Sequence, residues 1–168
     1  WREEARAGLA DAGLAEYERA TVGGLPYGVQ KRIELVRALM AHPRLLIEAG
    51  AQSQATVIVT FAGPDGAVYL SNCVTQVRLD DGAVLELVTD QRESSAAYHV
   101  HHVHAHCGAA SILHHRAVSL GGRIVRNDLS AVLGGEGPHA ALDGVYVADG
   151  EQLVDNHTSI DHALPHCT

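Results

Sequence analysis

CVTQVRLDDGAVLELVT, residues 73–89, sets out the grammar of most of this chain. Two β-branched, alternating runs, CVTQVRL (73–79) and AVLELVT (83–89), flank an Asp-Asp-Gly turn, and side chains in such runs face opposite ways at successive residues. ATVIVTF (55–61) follows the same pattern upstream. Glycine turns punctuate the runs at 64–66, 80–82, 107–108, 121–122, 135–137 and 149–150, and the gaps between their last glycines are 16, 26, 14, 15 and 13 residues. Short strands at near-regular intervals suit a sandwich, a barrel or a stacked solenoid. No Asn-Gly hairpin dipeptide occurs and aromatic residues make up only 4%. Small and β-branched residues dominate instead, which favours the stacked coils of a β-helix over a sandwich.

The chain has 168 residues, 46% of them hydrophobic, and a mean hydropathy of +0.01. It is long enough to build a core of its own, and this composition excludes disorder as the main state. The net charge is −8 at pH 7. Residues 1–50 carry seven basic and seven acidic side chains, so the deficit lies in residues 51–168, where thirteen acids face five arginines and no lysine. That surface repels phosphate backbones, which argues against nucleic acid as a partner. No apolar run reaches the roughly 18–20 residues of a membrane span, and Trp1-Arg2-Glu3-Glu4 does not read as a signal peptide. A cytoplasmic location is the resulting expectation. Cys73, Cys107 and Cys167 are odd in number and widely spaced, which fits reduced thiols rather than a disulfide framework.

The first residues follow different rules. REEARAGLADAGLAEYER (2–19) is rich in helix formers and predicts a helix, or a pair interrupted at Gly13. After the Gly23-Gly24 turn, Pro26 suits a first helical position. Val29, Ile33, Val36 and Met40 then form an apolar stripe that Pro43 ends. The sequence thus predicts a short α-helical segment over 1–46 and a β domain over 47–168.

GGLPYGVQKRIELVRALMAHPRLL (23–46) resembles the signature region of ABC-type ATPases, especially those of branched-chain amino acid importers. In that family the turn before the helix presents backbone N–H groups to a nucleotide phosphate. Carried over residue by residue, the resemblance marks Gly28 and Gln30 as remnants of a nucleotide-binding turn, with Pro26 where the signature serine stands. No GxxxxGKS or GxxxxGKT loop exists, and LLIEAGAQS lacks the aspartate that should precede a catalytic glutamate. ATP binding and hydrolysis are therefore not expected.

From about His42 onward the chain resembles the SufB/SufD family of iron–sulfur cluster assembly scaffolds, the SufD branch most closely. HPRLLIEAGAQSQATVIV, YLSNCVTQVRLDDGAVLE, LVTDQRESSAAYHV, SLGGRIVRNDLS, GEGPHAALDGVYVADG and VDNHTSIDHALPHCT carry the likeness in order. It implies a right-handed parallel β-helix and a non-catalytic scaffold subunit. It also implies SufB-like and SufC-like partners, and an iron–sulfur cluster held only by assembly with them. HPRLL (42–46) fits both resemblances, so a join of two gene fragments inside it is the expectation. A β-helix ending at Thr168 would leave its last coil uncovered, and self-association through that end is expected too.

The histidines concentrate after residue 98, five of them in YHVHHVHAHC (98–107). Alternation places His102, His104 and His106 on one face and His99 and His101 on the other. Ligands spaced about 6–7 Å along one strand are too far apart for a single small cation without help from a neighbouring coil. The stretch reads first as a polar outer face, and a His-rich metal-binding solenoid is the alternative. Cys107 reads as a buried core cysteine. Asp80-Asp81 and the Asp143 region read as turn residues. In DNHTSIDHALPHC (155–167), Asp155, His157, Ser159 and Asp161 share one face, and Asn156, Thr158, Ile160 and His162 the other. Only His162, His166 and Cys167 can converge as metal ligands, across the bend at Pro165.

Overall fold

The computed structural model describes residues 6, 9, 10, 14–18, 29 and 45–168. The chain divides into two units, Trp1–Arg44 and Leu45–Thr168. In the first, the one element with defined bounds among the described residues is a 3-10 turn, Ala15–Tyr17. Leu14 N–H donates to Leu9 O over 2.7 Å, and Arg6 pairs with Glu18 at 2.8 Å. Arg6, Leu9, Ala10 and Val29 are helical, and their neighbours lie mostly outside the described residues. The expected α-helical segment is therefore not supported, and most of the helix-patterned residues lie outside the described ones. That expectation rested on propensity and a short apolar stripe, both weak local signals.

The second unit is a β-solenoid of about four turns built from two parallel sheets. One sheet contains β1 (Leu45–Ala49), β3 (Leu70–Leu79), β5 (Tyr98–Cys107), β7 (Ile124–Leu133) and β9 (Leu153–His162), in that order. The other contains β2 (Gln54–Ala62), β4 (Val84–Arg92), β6 (Ile112–Ser119) and β8 (His139–Tyr146). Each odd strand turns a corner into an even strand that runs back beneath it, and a second corner returns the chain one layer along. Leu45 lies beside Thr75, Leu70 beside Tyr98, Tyr98 beside Ile124 and Ile124 beside Leu153, giving coil repeats of 30, 28, 26 and 29 residues.

Parallel stacking puts like residues on like. Ala49, Leu79, Cys107 and Leu133 form one inward row, and Leu85, Leu113 and Ala140 another across from it. With Val77, Leu87, Ala105 and Ala131 they make a continuous apolar core. The outer faces keep the charges, among them the exposed pairs Arg78 with Glu48 and Arg116 with Glu86.

The corner between odd and even strands repeats one backbone device. Gln52, Gly82, Ala110 and Gly137 occupy equivalent positions, with φ of 59°, 67°, 52° and 70°. Successive members are tied along the stack by Gln52 N–H to Asp81 O (3.0 Å), Gly82 N–H to Ala109 O (2.8 Å) and Ala110 N–H to Glu136 O (2.9 Å). Asp81 is a turn residue, as expected, and its Oδ1 accepts Ala109 N–H at 2.8 Å. Asp143, by contrast, stands exposed within β8 beside Arg116, because the turn lies later, at Asp149-Gly150. Left-handed backbone is strained wherever a Cβ is present. Ala110→Gly is expected to raise the unfolding free energy by roughly 0.5–1 kcal/mol, measured by urea denaturation; a loss of stability would show that the corner does not carry this strain.

Candidate functional site

The solenoid interior is divided lengthwise. Toward the starts of β3, β5 and β7 and the ends of β4 and β6, polar side chains replace most of the apolar rows. Ser71, Thr75, His99, His101 and Asn127 come from the first sheet, and Thr89, Gln91, His115 and Ser119 from the second. Glu93 joins them from the corner after β4.

Glu93 is the hub. His99 Nδ1–H donates to its Oε2 over 2.6 Å, with both side chains no more than 2% exposed. Gln91 Nε2 donates to the same oxygen at 3.2 Å, and Ser71 Oγ donates to Oε1. Gln91 Oε1 in turn accepts Gly121 N–H at 3.1 Å. A Cβ at Gly121 would collide with the Glu93 carbonyl, so the close passage of these two corners requires glycine. One carboxylate therefore ties together three consecutive strands, β3, β4 and β5, from two adjacent coils.

The remaining buried imidazoles rest on hydroxyls. His101 Nε2 lies 2.9 Å from Thr75 Oγ1, and His115 Nε2 lies 3.5 Å from Thr89 Oγ1. His115 Nδ1 has no hydrogen-bond partner. Phe61 packs against both β5 imidazoles, with ring centroids 4.8 Å from His99 and 4.9 Å from His101. Burial lowers all three histidines: His101 to about 3, with the positive forms of His99, His115 and His102 adding to the effect; His115 to about 4; and His99 despite the pull of Glu93. Further along, Asn127 Nδ2 donates to Ser119 Oγ (3.2 Å) and to Asn156 Oδ1 (2.9 Å).

On the outer face the alternation holds as read. His102 and His104 stack there with centroids 6.5 Å apart, and His106 follows, exposed. Ser130 Oγ donates to Val103 O and receives His104 Nδ1–H at 2.8 Å, which fixes that imidazole. The neighbouring coil places Asp128 beside His102, but Arg126 grips both Asp128 oxygens at 3.0 Å and reaches Asp155 at 3.0 Å. His157 pairs with Asp155 at 2.9 Å. Among the described residues no three His, Cys, Asp or Glu side chains are gathered as a metal ion would require.

His162 sits in register with Leu133, on the inward row. His166 takes the left-handed backbone, with φ of 64°. The Cys167 thiol donates to Leu164 O at 2.9 Å, and Thr168 pairs with Pro138 and Ala140 along β8. Gly28 and Gln30 lie outside the described residues. Cys107 is fully buried, and burial pushes its thiol up to about 11.

Comparison with known proteins identifies the family. A family model described as the SufBD core domain of SUF system FeS cluster assembly matches residues 32–168. The chain belongs to the SufBD family. An iron–sulfur cluster assembly SufBD family protein of Mycobacterium leprae is 38% identical over 131 residues, covering 78% of this chain and 32% of that protein. One from Mycobacterium tuberculosis is 30% identical over 128 residues, covering 76% and 31%, and one from Synechocystis is 24% identical over 136 residues, covering 76% and 30%. The chain thus spans about a third of the length of the curated relatives it matches. No solved structure matches it significantly. The SufBD match begins at residue 32, inside the segment that resembles an ATPase signature helix, so much of that segment falls within the SufBD core domain.

Two expectations follow. Glu93→Ala strands three buried donors, and urea denaturation should show a loss of about 3–5 kcal/mol. Glu93→Gln, which keeps an acceptor, should lose clearly less; equal losses would mean that the hydrogen bonds are not the source. Calorimetric titration of the tail with zinc should give weak binding that largely disappears in Cys167→Ser. One tight zinc per chain, abolished by His162→Ala, would establish a closed site there instead.

Proposed function

We propose that this chain is a SufD-like scaffold segment of the SUF iron–sulfur cluster assembly machinery. The observation that carries the reading is the SufBD core-domain match over 32–168, which takes in every strand of the solenoid. The stretches GGRIVRNDLS (121–130) and YVADGEQLVDNHT (146–158) support the SufD branch. In this reading the protein contributes shape and surface rather than chemistry. Its buried polar groups largely serve one another as ties between coils, the outer sheets offer flat faces to other subunits, and a cluster is cargo held with partners.

SufB-like and SufC-like proteins are the partners this reading names, in the cytoplasm. Nucleotide belongs to the SufC-like partner, since this chain has no phosphate-cradling loop. Among the described residues no helix is long and apolar enough to cross a membrane, and the acidic β domain remains a poor match for nucleic acid. Co-expression with tagged SufB-like and SufC-like proteins should retain this chain through affinity purification and gel filtration. Failure of either to retain it, with the solenoid folded by circular dichroism, would remove the reading.

A further inference from the structure

The polar half of the solenoid interior holds three imidazoles and one carboxylate. Facing one another there are Cys73 and Ser71 of β3, Thr89 and Gln91 of β4 with Glu93 beyond it, His99 and His101 of β5, His115 and Ser119 of β6, and Asn127 of β7. Phe61 of β2 packs between the β5 rings, and Tyr146 of β8 stands exposed beside Ser119. His102, on the opposite face of β5, acts on His101 through the sheet. Among all these groups, Glu93 is the one negative charge available.

A first proton has a place to go. His99 already donates to Glu93 over 2.6 Å, so an imidazolium there gains an adjacent counter-charge. A second has none. His101 lies 5.9 Å from His99 between ring centroids and its hydrogen-bond partner is a threonine hydroxyl, while His115 has a 3.5 Å contact to Thr89 and an unpaired Nδ1. Charging either ring while it is buried places an uncompensated cation beside another cation, and admitting water is the available remedy.

We infer that acidification opens the polar half of the solenoid interior as an internal latch, while the apolar half stays packed. The split follows from the rows. Val77, Leu79, Leu85, Ala105, Cys107 and Leu113 contain nothing that titrates on acidification, and they lie toward the opposite corner, with Leu87 marking the boundary in the row of His115. Glu93, Ser71, Gln91 and Gly121 clasp the corner that parts.

The direction follows from proton linkage. In an opened or unfolded chain these imidazoles bind protons near 6.5, whereas in the closed interior burial holds His101 to about 3 and His115 to about 4. The open form therefore takes up more protons below about pH 6.5, and closure weakens steadily as pH falls toward those lower values. Each of the two imidazoles should shift the opening equilibrium roughly a hundredfold between pH 7 and pH 4.5.

The register supplies the variant. His115 stands between Leu87 and Leu142 in its row, with Val57 beyond, so His115→Leu continues an apolar stack and removes one titrating group. Urea unfolding at pH 7 and pH 4.5 should show a pH dependence about a hundredfold smaller in His115→Leu than in the native chain; an equal dependence would overturn the inference. Amide exchange at pH 4.5, corrected for intrinsic rates, should show protection lost at 71–75, 89–93, 99–101 and 115–119 before 77–79, 85 and 105–107. Simultaneous loss would replace the latch with global unfolding. Should His115→Leu not fold, histidine Cε1–H titration of the native chain decides. Two resonances that stay neutral down to about pH 5 support the latch, and all of them titrating near 6.5 in the closed form rejects it.

Discussion

Parallel in-register stacking of coils is the constraint on which the rest of this structure depends. In the inner strands the backbone N–H and C=O groups pair with the layers above and below, so a residue is placed beside its counterpart about 28 positions away, whatever that counterpart is. A cross-section that works once must work in every layer. Apolar rows reinforce themselves down the axis, as Ala49, Leu79, Cys107 and Leu133 do. A polar inward position requires a partner in its own layer or the adjacent ones, and that requirement generates the network of Thr75 with His101, Thr89 with His115, and Asn127 with Asn156.

Glu93 shows how much one such partner can organise. The even strand has ended at Arg92, and the corner that follows turns the carboxylate inward, where it meets donors from three strands, β3, β4 and β5. A buried carboxylate is costly unless its oxygens are filled, and here each accepts at least one donor. The arrangement favours specificity of coil register over raw stability, since sliding one coil by a residue would turn His99 outward and strand Glu93.

Much of this was legible beforehand. The glycine intervals of 13–16 residues are half-coils, and the gap of 26 skips the one corner, Ser94–Ala97, built without glycine. The division of His99 and His101 from His102, His104 and His106 follows from alternation and holds. Which face was inside could also have been read, because Val103, Ala105 and Cys107 share the phase of His99 and His101 and set it inward. Glu93 gave no such signal, since it lies in a corner where alternation stops.

The sequence by itself determined the strand alternation, the glycine corners and the family, because each is written in local spacing or in matching stretches. The tertiary structure decided which histidines lose their water and what they touch. Thr75 and His101 are 26 residues apart and Gln91 and Gly121 30 apart, and nothing local links them. Coil lengths vary from 26 to 30 residues, so partners across layers are set by how each corner is closed, and only the folded stack fixes that.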